Sequence, residues 1–405
     1  MKIISVISTR PNFMKIAPIF KELEGIPDLE HKICFTGQHY DKELTDYFFS
    51  DLKIIADLES SADYLIDKKI NVTDSASKGK EFIRIKSKLN REEKLGEIFK
   101  SFISYLIRER PDLVLIPGDV DSSLLCAIAA KKLNIKIAHI ESGLRSFDNK
   151  MPEEINRILI DKISDYLFIT EKSGVVNLAR EMIDLDKTFF TGNTMIDSLK
   201  IALKHTDDNY VTFYNLKKKK YFLTTIHRPS NVDDIISLYN IIQTLNKLSE
   251  IQKIIMPLHP RSKKAIEKFG LIDLIDKNKI DIIPPVGYLE FISLMKYSSM
   301  IITDSGGVQE EASYMRIPCI TLRENTERPA TVIEGTNYLC WKDENEDSEP
   351  LSIKAFKLAN DILSGKLEKG GSNIDGWDGK ASSRIKEILI DLESFKKKNN
   401  IQEEI

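Results

Sequence analysis

A chain of 405 residues is too long for one ordinary hydrophobic core and suits two domains of common size. Its 59 basic and 62 acidic side chains give a formal charge of −3, which offers no basic field for nucleic acid. The four cysteines, Cys34, Cys126, Cys319 and Cys340, are scattered, no cysteine–histidine spacing suggests a metal, and no apolar run approaches a membrane span. The expectation is therefore a soluble cytoplasmic protein with buried, reduced thiols and no metal or membrane partner.

Along the chain, short apolar runs alternate with longer helical patterns. Lys2–Ile7, Lys32–Phe35, Leu113–Pro117, Ile135–Ile140, Tyr166–Ile169 and Thr188–Phe190 read as parallel strands buried on both faces. Amphipathic segments such as Phe13–Leu23, Ser122–Leu133 and Glu153–Ile163 lie between them. Residues 60–97 hold no clean period and read as a solvated excursion followed by a surface helix. The polar stretch from His205 to Lys220 reads as a connection. The alternation then restarts with Tyr221–Ile226, Lys253–Leu258, Ile280–Pro284, Met300–Thr303, Pro318–Leu322 and Tyr338–Trp341. Lys369 to Gly379 is glycine-rich and reads as a loop, and Ser382 to Lys398 is a charged amphipathic helix. The expected fold is α/β, with two Rossmann-like doubly wound parallel-sheet domains facing across a cleft. The domains are expected over residues 1–205 and 206–380, followed by a terminal helix over 381–405.

Chemistry gathers where strands end. Met300-Ile301-Ile302 runs into Thr303-Asp304-Ser305-Gly306-Gly307 and then a helical stretch bearing Glu310 and Glu311. Two glycines let the backbone approach an anion, the helix start presents free N–H groups, and the Ser305 hydroxyl adds a donor, so the segment reads as a phosphate cradle. Glu311 is placed to accept hydrogen bonds from ribose hydroxyls. After the first strand, Arg10 and Lys15 bring cations that suit a pyrophosphate. Later strands deliver Gly118-Asp119 and Glu141, and a helix opened by Pro152 bears Glu153, Glu154 and Arg157. The second half adds His227 and His259, each at a strand end. Arg145 and Arg157 are open to a plain role as neutralisers of nearby acids, and Arg323 and Arg328 either reach substrate or brace the cradle.

Taken together, these segments resemble a known family. Ser8-Thr9-Arg10-Pro11, Thr36-Gly37-Gln38-His39, Gly118-Asp119, His139 to Arg145, Pro152 to Arg157, Thr191-Gly192-Asn193, His227-Arg228, Thr303 to Glu311 and Thr326-Glu327-Arg328-Pro329 are similar, in order, to the motifs of the UDP-N-acetylglucosamine 2-epimerase family across roughly residues 1–340. The resemblance implies a GT-B-like architecture, usually homodimeric, needing no cofactor. It also implies that UDP is held by the second domain and that the terminal helix crosses back to the first.

By motif, the resemblance makes Asp119, Glu141 and Glu153 the acid–base and oxocarbenium-stabilising set. His227, Arg10, Ser305, Gly306 and Gly307 then stand at the departing diphosphate, with Lys15 and Arg157 nearby. Glu311 would bind ribose and Phe291 would pack on uracil. Three departures stand out: Ser8 replaces a usual glycine, Asp121 adds a charge after Gly118-Asp119, and residues 60–97 lack a usual glutamine–threonine motif. A regulatory UDP-sugar site that some members build partly around Gln38 and His39, for which His259 is also present, is thereby left open. Three readings follow: a non-hydrolysing epimerase making UDP-N-acetylmannosamine for surface polysaccharide, a hydrolysing relative releasing UDP and a free 2-acetamido sugar, and a glycosyltransferase or UDP-sugar sensor. The count of acids argues against the third. The sugar is open to 6-deoxy or 4-amino variants.

Overall fold

The run β1 (Lys2–Ile7) is buried along almost its whole length, as a strand covered by helices on both faces must be. It sits inside a parallel sheet in a computed structural model that describes residues 1–36, 81–82, 90–341, 349–369, 371 and 373–403. The chain divides into two compact units, Met1–Ile201 with Asp375–Ile405, and Ala202–Ile374. No helix among the described residues is long and apolar enough to cross a membrane.

In the first unit β1 is joined by β2 (Glu30–Phe35), β3 (Glu81–Phe82), β4 (Leu113–Pro117), β5 (Lys136–Ser142), β6 (Tyr166–Ile169) and β7 (Thr188–Phe190). Among the described residues the sheet has the order β3-β2-β1-β4-β5-β6-β7, all parallel. The helices are α1 (Arg10–Leu23), α2 (Arg91–Glu109), α3 (Asp121–Lys132), α4 (Pro152–Ile163), α5 (Lys172–Arg180) and α6 (Thr194–Leu203). The strand order reverses direction between β1 and β4, so the crevice beyond their carboxyl ends is where this topology leaves room for a ligand.

One expectation is corrected here. The helix beginning near residue 91 is not a surface helix: α2 runs to Glu109 and buries Ile98, Phe102, Tyr105 and Leu106 in the core beside α3. Its first turns, Arg91 to Lys94, are charged and hide the apolar stripe that follows, while Asn90 and Glu93 close a reciprocal capping box. The reading of residues 60–80 and 83–89, and of Gln38 and His39, lies outside the described residues.

The second unit repeats the plan. β8 (Tyr221–Thr225), β9 (Lys253–Pro257), β10 (Ile280–Ile283), β11 (Met300–Thr303), β12 (Cys319–Thr321) and β13 (Asn337–Leu339) form a parallel sheet of order β10-β9-β8-β11-β12-β13. Its helices are α7 (Asn209–Phe213), α8 (Pro229–Val232), α9 (Ile235–Leu248), α10 (Pro260–Phe269), α11 (Tyr288–Tyr297), α12 (Gly306–Tyr314), α13 (Pro329–Ile333) and α14 (Leu351–Leu363). Here the order reverses between β8 and β11. The connection expected over 205–220 contains the short helix α7, which buries Val211 and is followed by Tyr214, whose hydroxyl donates to Glu290 at 2.6 Å.

The chain then returns to the first unit. Trp377 donates its indole N–H to the Thr170 carbonyl at 2.9 Å, and Gly376 crosses Gly192 so closely that a Cβ on Gly192 would lie 1.9 Å from the Gly376 oxygen. The last helix, α15 (Ala381–Glu403), packs on α1, and its start is capped by Asp197, which accepts from Ala381 N, Ser382 N and Ser382 Oγ. All four cysteines are buried and none forms a disulfide.

Candidate active site

In the first unit, polar side chains collect at the β1/β4 switch point. Asn12 of α1 accepts from Thr9 N–H and Oγ1 and donates to the Pro117 carbonyl at 2.9 Å, which ties the start of α1 to the end of β4. One turn on, Lys15 forms a buried ion pair with Glu141. Glu141 ends β5 with φ of 77°, in the left-handed region, where the register of β5 against β6 shifts. A non-glycine residue held there stores strain, a recurrent feature of sites that must aim one side chain. Gly118 makes room for the pair: a Cβ there would lie 2.9 Å from Lys15 Nζ and 3.6 Å from Glu141 Oε2.

Asp119, the next residue, is held by Arg157 of α4, whose Nε is 3.0 Å from Asp119 Oδ2 and whose Nη2 contacts the same oxygen. Arg157 also binds Glu154 at 2.5 Å. Sequence reasoning gave Glu154 no task, yet it accepts from Ser146 N–H, Ser146 Oγ and Phe147 N–H, so it anchors the β5–α4 loop and the Asp119 clamp together. Its spacing of three residues from Arg157 on a helix was the available signal. Glu153 stands apart from both pairs. It is half-buried in the first turn of α4, and its charge acts on Arg91, which pairs with Asp121 at 2.6 Å. Arg10 is the first residue of α1, and its side chain lies outside the described set.

The β8/β11 switch point organises the second unit around Asp304. This carboxylate is wholly buried and accepts from His227 N–H, Arg228 N–H at 2.8 Å and Asn231 Nδ2 at 3.0 Å. The His227 ring lies beside it and beside His259, with ring centroids 5.1 Å apart. Burial, together with Arg228, Arg261 and Arg323, outweighs Asp304 and holds the His227 pKa below the usual histidine value. Asp304 was read only as part of a motif; its hub role depends on a partner 77 residues away.

Ser305 is extended and precedes α12 without capping it through its hydroxyl, and Gly306 begins the helix. Behind this helix start lies a charged cluster. Glu327 binds Arg323 at 2.7 Å, Arg328 at 2.7 Å and Arg228 at 3.3 Å, and Arg328 Nε reaches Glu310 at 2.8 Å. Three arginines against two carboxylates leave a positive balance at a helix N-terminus, which itself favours anions. Of the two roles open to Arg323 and Arg328, these contacts are those of bracing. Gly306 is needed for the approach, because a Cβ would meet Glu327 Oε1 at 2.6 Å and Arg328 Nη1 at 2.9 Å. Gly307 is half-buried, and Glu311 and Phe291 are buried on α12 and α11.

Two doubly wound parallel sheets, each with polar groups gathered at its own switch point, define a protein of the two-Rossmann, GT-B-like class. Residues 21–390 match the family model for UDP-N-acetylglucosamine 2-epimerase. A UDP-N-acetylglucosamine 2-epimerase of Methanocaldococcus jannaschii is 40% identical over 398 residues, covering 96% of this chain and 99% of that protein. A UDP-2,3-diacetamido-2,3-dideoxy-D-glucuronate 2-epimerase of Pseudomonas aeruginosa is 35% identical, covering 97% and 100%. The crystal structure of the M. jannaschii UDP-GlcNAc 2-epimerase in complex with UDP-GlcNAc and UDP superposes with a TM-score of 0.82 at 37% identity, covering 96% of this chain and 99% of that one. The chain belongs to the UDP-N-acetylglucosamine 2-epimerase family.

Proposed function

We propose that the chain inverts C2 of UDP-N-acetylglucosamine, interconverting it with UDP-N-acetylmannosamine without net hydrolysis. The observation that carries this reading is the pairing of family membership with an acid-bearing switch point in one unit and an anion-favouring helix start in the other.

The chemistry explains why such groups are needed. The C2 proton of the sugar is barely acidic, since no carbonyl adjoins it. When the C1–O bond leads, UDP departs with the electron pair, positive charge grows at C1, and a carboxylate removes the C2 proton to leave a 2-acetamidoglucal. Return of a proton to the opposite face and re-formation of the C1–O bond complete the inversion. In this reading Asp119, Glu141 and Glu153 supply the acid–base and charge-stabilising groups, and Arg157 and Lys15 hold the first two. His227, Ser305, Gly306, Gly307 and Arg10 receive the diphosphate, Glu311 the ribose and Phe291 the uracil. The enzyme acts as a cytoplasmic homodimer feeding surface-polysaccharide precursor synthesis.

Incubation with UDP-N-acetylglucosamine in deuterium oxide, followed by NMR, tests the reading. Deuterium at C2 with UDP still attached is expected. Release of UDP with free sugar would instead assign hydrolysis. Absence of C2 exchange in UDP-N-acetylhexosamines and in UDP-2,3-diacetamido-2,3-dideoxy-D-glucuronate would remove both.

A further inference from the structure

His139 lies on β5, wholly buried, with each ring nitrogen facing an acceptor. Nδ1 is 2.6 Å from Asp161 Oδ1, and Nε2 is 3.1 Å from the carbonyl oxygen of Gly118. A carbonyl oxygen cannot donate. Asp161 is committed as an acceptor too, because its other oxygen takes Arg145 Nη2 at 2.7 Å and the Gly143 N–H at 3.1 Å. A neutral imidazole carries a single N–H, so one of the two short contacts would set lone pair against lone pair in a dry interior.

Charge counting leads to the same place. Glu181 grips Arg145 at 2.6 and 2.9 Å, so the row contains two carboxylates and one guanidinium before His139 is counted. With a neutral ring this buried row holds an uncompensated negative charge, which is costly; with an imidazolium it is balanced. The charged groups around it are Asp161 on α4, Arg145 after β5, Glu181 after α5, and, beside Gly118, the internally neutral pair of Lys15 and Glu141. Burial works to raise the Asp161 pKa, yet His139 and Arg145 hold it below the usual carboxylate range, in keeping with cations on both sides.

We propose that His139 is a positioning residue, an imidazolium at neutral pH whose Nε2–H fixes the Gly118 carbonyl and thereby the peptide that carries Asp119. The proposal rests on the acid–base role assigned to Asp119. That residue is then pinned at three points: the carbonyl before it by His139, its own carbonyl by Asn156 Nδ2 at 2.9 Å, and its carboxylate by Arg157. Gly118, with φ of +63°, has no side chain to hold this turn, so its carbonyl is the available handle.

The experiment uses the full chain carrying 15N-labelled histidine. The signals that vanish in His139→Gln identify the ring among the six histidines. Both ring nitrogens of His139 are expected in the protonated state at neutral pH, and one unprotonated nitrogen would overturn the proposal. Kinetics give a second readout. His139→Leu is expected to lower kcat roughly a hundredfold while the Kd for UDP is retained, and His139→Gln, which keeps a donor toward Gly118, to recover part of that loss. Wild-type kcat in the Leu variant would count against the proposal; should that variant not fold, the nitrogen spectrum decides alone. Wild-type turnover by Asp119→Asn would remove the catalytic reading, whereas the spectrum would still report the charge of His139.

Discussion

His227 Nδ1 lies 3.2 Å from Asp304 Oδ1, so the carboxylate that orders the β8 and β11 strand ends also faces the ring expected to meet a diphosphate. Burial and three arginines keep that ring below its usual pKa, and an arriving diphosphate would raise it. UDP binding is therefore expected to take up a proton near neutral pH, with affinity falling as pH rises toward the pKa of the bound state. Calorimetry in two buffers of different ionisation enthalpy measures the uptake. His227→Asn should abolish the buffer dependence, and a wild-type protein without it would contradict the assignment.

Gly306 tolerates no side chain without displacing Glu327 or Arg328. Gly306→Ala is expected to weaken UDP binding by about tenfold and to lower stability by about 1–3 kcal/mol as the arginine cluster shifts. Titration with UDP and urea unfolding measure the two effects. Unchanged values in both would mean that the cluster yields freely and does not set the helix start.

Asp119→Asn keeps the shape of the side chain but removes its charge opposite Arg157. Turnover should fall by at least about a hundredfold, while UDP, bound through the other unit in this reading, keeps nearly its full affinity. A parallel loss of UDP affinity would point to a binding rather than a chemical task.

His31 on β2 is half-buried, takes part in a 2.7 Å hydrogen bond with Ser5 Oγ, and leaves Nδ1 without a partner among the described residues. Burial pushes its pKa down from 6.5 to about 3. Between those values the unfolded chain binds a proton that the folded chain does not, so stability falls on acidification, by at most about 1.4 kcal/mol per pH unit for this group and less as solvent reaches the ring. His31→Gln keeps a partner for Ser5 and does not titrate. Urea unfolding across this window should show a shallower acid slope in the variant; equal slopes would refute the account.

Much of the fold was legible because its signals are local. Runs such as Leu113–Pro117 and Met300–Thr303 are apolar without alternation, which only a strand covered on both faces requires, and the structure returns both with the same bounds. The buried stripe of α2 was missed where charged first turns preceded it, and α7 where a short helix lay in a polar stretch. Arg10, Gln38 and His39 depended on side chains or residues outside the described set.

Sequence alone determined which groups end the strands: Asp119, Glu141, His227 and Ser305 follow apolar runs directly, and a parallel strand delivers its next residue to the carboxyl edge of its sheet. Pairing was decided only in three dimensions. Lys15 meets Glu141 across 126 residues, and His227 meets Asp304 across 77, because the sheet orders bring β1, β4 and β5, or β8 and β11, side by side. Local periodicity contains no record of strand order, which follows from how the helices cover both faces, so each acid's partner became readable only once the sheets were assembled.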